Sequence, residues 1–433
     1  MTRMAFPFQV SEHVIDAQHV RDSAQATATP DAKLKLCIKQ YTPLDNINPQ
    51  PGDITIIGTH GTGFPKELYE PLWEELLARA NTEGFRVRSI WIADCVNQGA
   101  SGILNEKQLG SDLSWADLSR DLIHMVNHFR DQMPQPIMGI GHSLGATQLC
   151  VPLSHSQGLQ LTLSSIFASL MHPRLLSSII LIEPYIAVAP RIKEGSKMMA
   201  LATFRRDTWH SHTEAVQKAR KVFKTWDERV LQRWAQFAYR KLPTAIHPSL
   251  QPGSVTLATS KHQELVTYTY IRPRVHKPVI LPGDKIDQGA IDALPKRQIY
   301  RSEPLLAMKL IPHVAPSVLI VSGATSSLYK DGSHASGAHA AGTEFGGNGG
   351  MDVGEVRHEV IDEAGHSVPF EKIAATASVA ASWIACSMRK WQDNQDKLVK
   401  EWGGLSLKEK TTFPREWLEL AGNLPGFKER PRL

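Results

Sequence analysis

The chain has 433 residues, 42% of them hydrophobic and 21% charged, with a formal net charge of +5 at pH 7. That balance suits a folded chain with a sizeable core and excludes a disordered or fibrous protein. No apolar run reaches the roughly eighteen residues that a membrane span needs, the start has no secretory leader, and the basic balance comes without a nucleic-acid-binding motif. We therefore expect an intracellular protein with no membrane span and no nucleic-acid partner.

In chain order, "KLKLCIKQYTP" (Lys33 to Pro43) and "DITIIGTHG" (Asp53 to Gly61) read as strands bounded by Pro/Gly turns. "FRVRSIWIADC" (Phe85 to Cys95) follows, and then a helix, "SWADLSRDLIHMVNHFRDQM". In that helix Leu118, Leu122, Met125, Val126 and Phe129 share one face, and Ser114 is the expected N-cap. "PIMGIGHS" (Pro136 to Ser143) and "SSIILIEP" (Ser177 to Pro184) continue the strand series, which resumes only at "SVLIVSG" (Ser317 to Gly323) and ends at "VRHEVIDEAGH" (Val356 to His366). Strands alternating with helices predict an α/β fold, a mainly parallel doubly wound sheet with an inserted helical cap. The cap is the Lys/Arg/Trp-rich and then Pro-rich stretch 186–310. The expected organisation is therefore a core over 30–185 and 311–390, the cap over 186–310, and a C-terminal extension over 391–433. The Gly/Ala/His-rich stretch Gly332 to Gly350 reads as a surface loop. Cys37, Cys95, Cys150 and Cys386 show no C-x-x-C spacing and no His/Cys cluster, so they read as reduced thiols, with no metal and no cofactor expected.

Gly141-His142-Ser143-Leu144-Gly145 fits G-x-S-x-G. A strand that turns sharply into a helix strains the serine backbone, and small residues on both sides relieve the crowding; Oγ is left exposed at the carboxyl edge of the sheet. Ser143 is therefore the expected nucleophile. The loop His60-Gly61-Thr62-Gly63-Phe64 after an early strand supplies an N–H for a developing oxyanion, placed at Thr62 with Gly63 and Phe64 as rivals. Leu144, next to the nucleophile, supplies the other. The base must come late in the chain, and His366, between a strand and a helix, fits better than His334, His339 or His358. After Ser317 to Gly323 an Asp is expected, but the chain reads "ATSSLYKD", with Ser326 and Ser327 near that place and Asp331 late. Glu183, at the end of the preceding strand, is preferred, with Asp331 left open. Gly63, Phe64 and His142 beside these motifs, and Arg205 and Arg206 in the cap, are the expected substrate contacts, the arginines because guanidinium suits phosphate oxygens.

"HGTGFPKELYEPLW", "DCVNQGASG", "SWADLSRDLIHMVNHFR", "GIGHSLGATQL", "HPRLLSSIILIEP", "FKTWDERVL", "VTLATSKHQE" and "DEAGHSVPFE" together resemble the fungal peroxisomal α/β-hydrolases of secondary metabolism. That family includes the acyl-CoA hydrolases of mycophenolic acid biosynthesis and the hydrolase-like proteins of AK-toxin-type biosynthesis. The resemblance implies a triad of Ser143, Glu183 and His366, with Glu in place of the family's usual Asp. It also implies an acyl-CoA hydrolase acting in a secondary-metabolite or toxin pathway. The segment 154–171, "SHSQGLQLTLSSIFASLM", is longer than the resemblance leads one to expect. An esterase or lactonase with the same residues, and a non-catalytic binding protein of this fold, are the competing readings; the missing Asp favours the latter.

The final Pro431-Arg432-Leu433 keeps the basic-then-leucine end of a peroxisomal address, with Pro in place of the small first residue. The expected partners are an acyl-CoA or ester substrate and a peroxisomal import receptor, with a homodimer left open. A reporter carrying the full chain should be punctate and one lacking Pro431 to Leu433 diffuse; two cytosolic reporters would reject the peroxisomal expectation.

Overall fold

The computed structural model describes residues 5–150, 172–189, 192–249, 252–271, 301 and 303–423. The chain divides into two compact units, Met1–Ala385 and Cys386–Leu433.

The first unit is built on an eight-stranded sheet of β1 (Phe8–Asp16), β2 (Lys35–Pro43), β3 (Ile54–Thr59), β4 (Val87–Ala93), β5 (Ile137–His142), β6 (Ser178–Ile182), β10 (Ser317–Gly323) and β11 (Val356–Ile361). Its order is β1-β2-β4-β3-β5-β6-β10-β11. β2 pairs antiparallel with both β1 and β4, and every pairing from β4 to β11 is parallel. β3, β5, β6 and β10 are buried at every position, because central parallel strands are covered on both faces. Their mostly apolar sequences follow from that double cover. The helix Trp115–His128 buries Leu118, Leu122, Met125 and Val126, and Phe129 just after it. Ser114 precedes this helix, but its side chain does not cap it; the hydroxyl donates to Asp22 Oδ2 at 2.7 Å. The mainly parallel α/β sheet expected from the sequence is present.

Three features depart from the sequence reading. β1 is an added edge strand, in which buried Phe8 and Ile15 flank a mainly polar, partly exposed run. Residues Ser333–Ala340, read as loop, form a helix that buries His334. The segment between β6 and β10 is not wholly helical: beside helices such as Ile192–Phe204, His212–Val222 and Glu228–Phe237 it holds a small antiparallel sheet in the order β7-β9-β8. These strands are β7 (Thr208–Trp209), β8 (Tyr239–Lys241) and β9 (Val255–Leu257). They are too short for a period-two pattern to show. The segment 154–171 lies outside the described residues.

The second unit begins within the helix Ile373–Leu398. It continues through a π-helical turn at Val399–Gly403 and the short helices Leu407–Thr411 and Arg415–Gly422. Ser406 and Glu409 form a capping box at the first of these short helices. Pro431, Arg432 and Leu433 lie outside the described residues.

Candidate active site

β5, β6 and β11 run parallel, so the residues just beyond them emerge on one edge of the sheet. Ser143 follows β5 with φ 54°, and Glu183 follows β6 with φ 49°. Both lie in the left-handed region that non-glycine residues seldom occupy. Each is held there by the neighbouring strand: the Ser143 N–H donates to Ile182 O at 2.9 Å, and the Glu183 N–H to Val321 O at 2.8 Å. The glycines of the elbow are required by contact. A Cβ on Gly145 would stand 2.4 Å from Thr59 O, and one on Gly141 2.6 Å from the Ala146 backbone.

His366, in the loop after β11, brings the set together. Its Nδ1–H donates to Glu183 Oε2 at 2.9 Å, and its Nε2 accepts from Ser143 Oγ at 2.8 Å. The carboxylate can only accept, so it fixes the tautomer that leaves Nε2 ready to take a proton. Glu183 is fully buried and fully engaged, with Oε1 accepting from Gly323 N–H and Oε2 also from Ser326 Oγ, both at 2.6 Å. Burial pushes its carboxyl upward, but the bond to His366, the charge there and the Ser326 hydroxyl outweigh burial, and the pKa lies below the ordinary Glu range. Asp331, the rival acid, accepts from Ser333 N–H at 2.9 Å and so serves a local turn. Ser326, which stands near the place where an Asp was expected, instead donates to the carboxylate that reaches His366.

The two expected oxyanion donors are backbone N–H groups. Leu144 opens the helix Leu144–Cys150, where a first-turn N–H has no intrahelical acceptor. In the loop after β3 the Gly61 N–H donates to Tyr69 Oη at 2.9 Å, Gly63 to Gln98 Oε1 at 2.6 Å and Phe64 to Gly61 O at 3.2 Å. The Thr62 N–H has no partner among the described residues. Its rivals Gly63 and Phe64 both have their N–H groups engaged. Gln98 and Tyr69, which shape the loop, went unnoticed in the sequence although both lie inside the quoted motif blocks.

The expected substrate contacts are not brought together as a set. Phe64 packs edge-on to Phe370, Trp226 and Trp234, with ring centroids at 5.1, 5.6 and 6.4 Å. His142 is fully buried and both ring nitrogens are occupied, so it offers no surface to a substrate; this corrects the sequence expectation. Arg205 pairs with Glu264, and Arg206 with Glu214 at 2.7 Å, so each guanidinium already meets a carboxylate where a free fork for phosphate was expected. Glu264 is buried and abuts the loop, its carboxyl carbon 3.3 Å from where a Gly63 side chain would begin. Arg205→Gln strands that carboxylate. It should lower turnover several-fold on an acyl-CoA and on a short uncharged thioester alike, while Arg206→Gln leaves both nearly unchanged. A KM rise confined to the acyl-CoA in either variant would restore the phosphate role.

The profile of the alpha/beta hydrolase family covers residues 56–379. The chain belongs to that family. A type I acyl-CoA thioesterase, mpaH, of Penicillium roqueforti is 33% identical over 417 residues, covering 92% of this chain and 91% of that protein. An abhydrolase domain-containing protein of Alternaria alternata is 24% identical, covering 66% of this hydrolase and 98% of its own length. Among solved structures, the peroxisomal alpha-beta-hydrolase Lpx1 of Saccharomyces cerevisiae has a TM-score of 0.64 at 17% identity, covering 96% of this chain and 95% of that one, and so shares the fold. The hydrolase class and the family resemblance expected from the sequence are both borne out.

Proposed function

We propose that this hydrolase cleaves an acyl-CoA thioester through an acyl-enzyme on Ser143. The observation that carries the reading is the unbroken chain Glu183, His366, Ser143, at 2.9 and 2.8 Å, on a strained elbow of the alpha/beta hydrolase sheet. Ser143 Oγ attacks the thioester carbonyl as His366 Nε2 takes its proton. The Thr62 and Leu144 N–H groups donate to the oxyanion. Collapse expels the CoA sulfur, which leaves with the proton from His366, and water repeats the sequence on the acyl-enzyme to release the acid. His366 keeps 38% of its side-chain surface accessible, as a group that exchanges protons with a leaving group and with water requires. Segment 186–310 is read as the cap over this edge of the sheet.

The thioester class is supported by the relatives named as acyl-CoA thioesterases, which align over nearly the whole chain. The setting in a secondary-metabolite or toxin pathway follows from the motif resemblance. The missing Asp favours a non-catalytic protein; the Glu183 carboxylate 2.9 Å from His366 Nδ1 supports the catalytic reading instead.

A fluorophosphonate probe tests the chemistry: the wild type should label and Ser143→Ala should not. No labelling of the wild type, or persistent labelling of Ser143→Ala, would defeat the proposal. Among substrates, kcat/KM should be higher for an acyl-CoA than for the matching simple ester, and the opposite order would make the protein an esterase.

A further inference from the structure

We infer that His142 and Tyr69 form a positioning strut that holds the oxyanion loop in register with the base; this rests on the function proposed above. The strut runs from Gly61 N–H to Tyr69 Oη (2.9 Å), from Tyr69 Oη to His142 Nδ1 (2.8 Å), and from His142 Nε2 to the His366 carbonyl oxygen (2.9 Å). Each direction is forced. The His366 carbonyl only accepts, so His142 carries its hydrogen on Nε2; Nδ1 then accepts from the Tyr69 hydroxyl, whose oxygen is left to accept from Gly61. A backbone N–H of the loop is thereby tied to the backbone of the base through two side chains, and His142 is itself the residue before the nucleophile.

The surroundings leave the strut little freedom. His142 and Tyr69 are both buried, and the imidazole lies stacked on Phe64 at 6.0 Å and 5.5 Å from the His366 ring. Tyr69 lies 5.1 Å from Phe370 and 6.2 Å from Trp73. Burial, with the His366 charge nearby, pushes the His142 imidazole down to about 3. It therefore stays neutral while His366 takes up a proton, and Nδ1 remains an acceptor throughout the cycle. Thr62, whose N–H is the proposed donor, directly follows Gly61, so a displaced Gly61 moves the donor away from the oxyanion.

Tyr69→Phe keeps the ring and removes the link. The expected result is a fall in kcat on an acyl-CoA, and in the rate of fluorophosphonate labelling, of about ten- to a hundredfold, the scale of an ångström-level misplacement, with KM within about twofold. His142→Gln, whose amide can still donate to the His366 carbonyl, should retain more activity than His142→Leu. The double variant Tyr69→Phe/His142→Gln should fall no further than the worse single one, since one strut cannot be broken twice. Multiplying losses, or a Tyr69→Phe protein with unchanged kcat and labelling rate, would overturn the strut; if the His142 variants fail to fold, Tyr69→Phe alone decides. A wild type that takes no probe defeats the hydrolase reading and this one with it, whereas a wild type that labels normally beside an unaffected Tyr69→Phe defeats the strut alone.

Discussion

Glu183→Gln is expected to lower kcat by about four orders of magnitude in a protein that still folds, the effect of holding a catalytic imidazole in the wrong tautomer. The carboxylate accepts from three donors, Gly323 N–H, Ser326 Oγ and His366 Nδ1. A glutamine of nearly the same shape brings an NH₂ group into that set. Wherever the amide nitrogen faces His366, Nδ1 must accept, the ring hydrogen moves to Nε2, and Ser143 loses its base. Asp331→Asn should leave kcat almost unchanged, because Asp331 bonds the Ser333 N–H two residues on. Steady-state kinetics on an acyl-CoA decide between them, and the reverse pattern would make Asp331 the acid. Stability has its own signature. Since the folded-state pKa of Glu183 lies below its ordinary value, the ionised carboxylate stabilises the fold above the ordinary Glu range, and that contribution is lost as pH falls through and below it. The difference in melting temperature between wild type and Glu183→Gln should therefore shrink on acidification.

Gly145→Ala should damage both fold and turnover. The added methyl would stand 2.4 Å from Thr59 O, 2.5 Å from Thr59 C and 2.8 Å from His60 O, all backbone atoms that no rotamer change can clear. β3 and the helix Leu144–Cys150 must then separate, although the Thr59 hydroxyl also holds them together through Gly145 O at 2.8 Å. Overpacking of this kind costs about 1–3 kcal/mol. It moves Ser143 and the Leu144 N–H together, so turnover should fall by at least about a hundredfold. Gly195→Ala is the control: it lies in the helix Ile192–Phe204, and outside that helix's own backbone no atom of the described residues stands within 4 Å of the new methyl. There the change should be neutral or stabilising by up to about 1 kcal/mol. Thermal melting and fluorophosphonate labelling of both variants test the contrast, and a Gly145→Ala protein matching the wild type in both would refute the steric account.

The sequence by itself determined seven of the eight strands of the main sheet, and the elbow. β3, β5, β6 and β10 read as mostly apolar runs because both of their faces are covered, and Gly141 and Gly145 mark the turn because nothing larger fits there. These are local requirements, written in consecutive residues. Segments whose pattern is too short or too polar stayed hidden, among them the edge strand β1, the strands β7, β8 and β9, and the helix Ser333–Ala340 inside a Gly/Ala-rich stretch. At the site, residue type narrowed the acid to two carboxylates and the loop donor to three backbone groups, and went no further. The tertiary structure gives each candidate its own contacts, and those contacts join distant parts of the chain: Glu183 to His366 across 183 positions, Gly63 to Gln98 across 35, Tyr69 to His142 across 73. Likewise, His142, Arg205 and Arg206 have the right chemistry for a substrate in sequence, and in the fold each is taken by a partner already present. A side chain's type states which bonds it can make; packing decides which one it does make, since a buried polar group left without a partner costs more than the bond itself contributes.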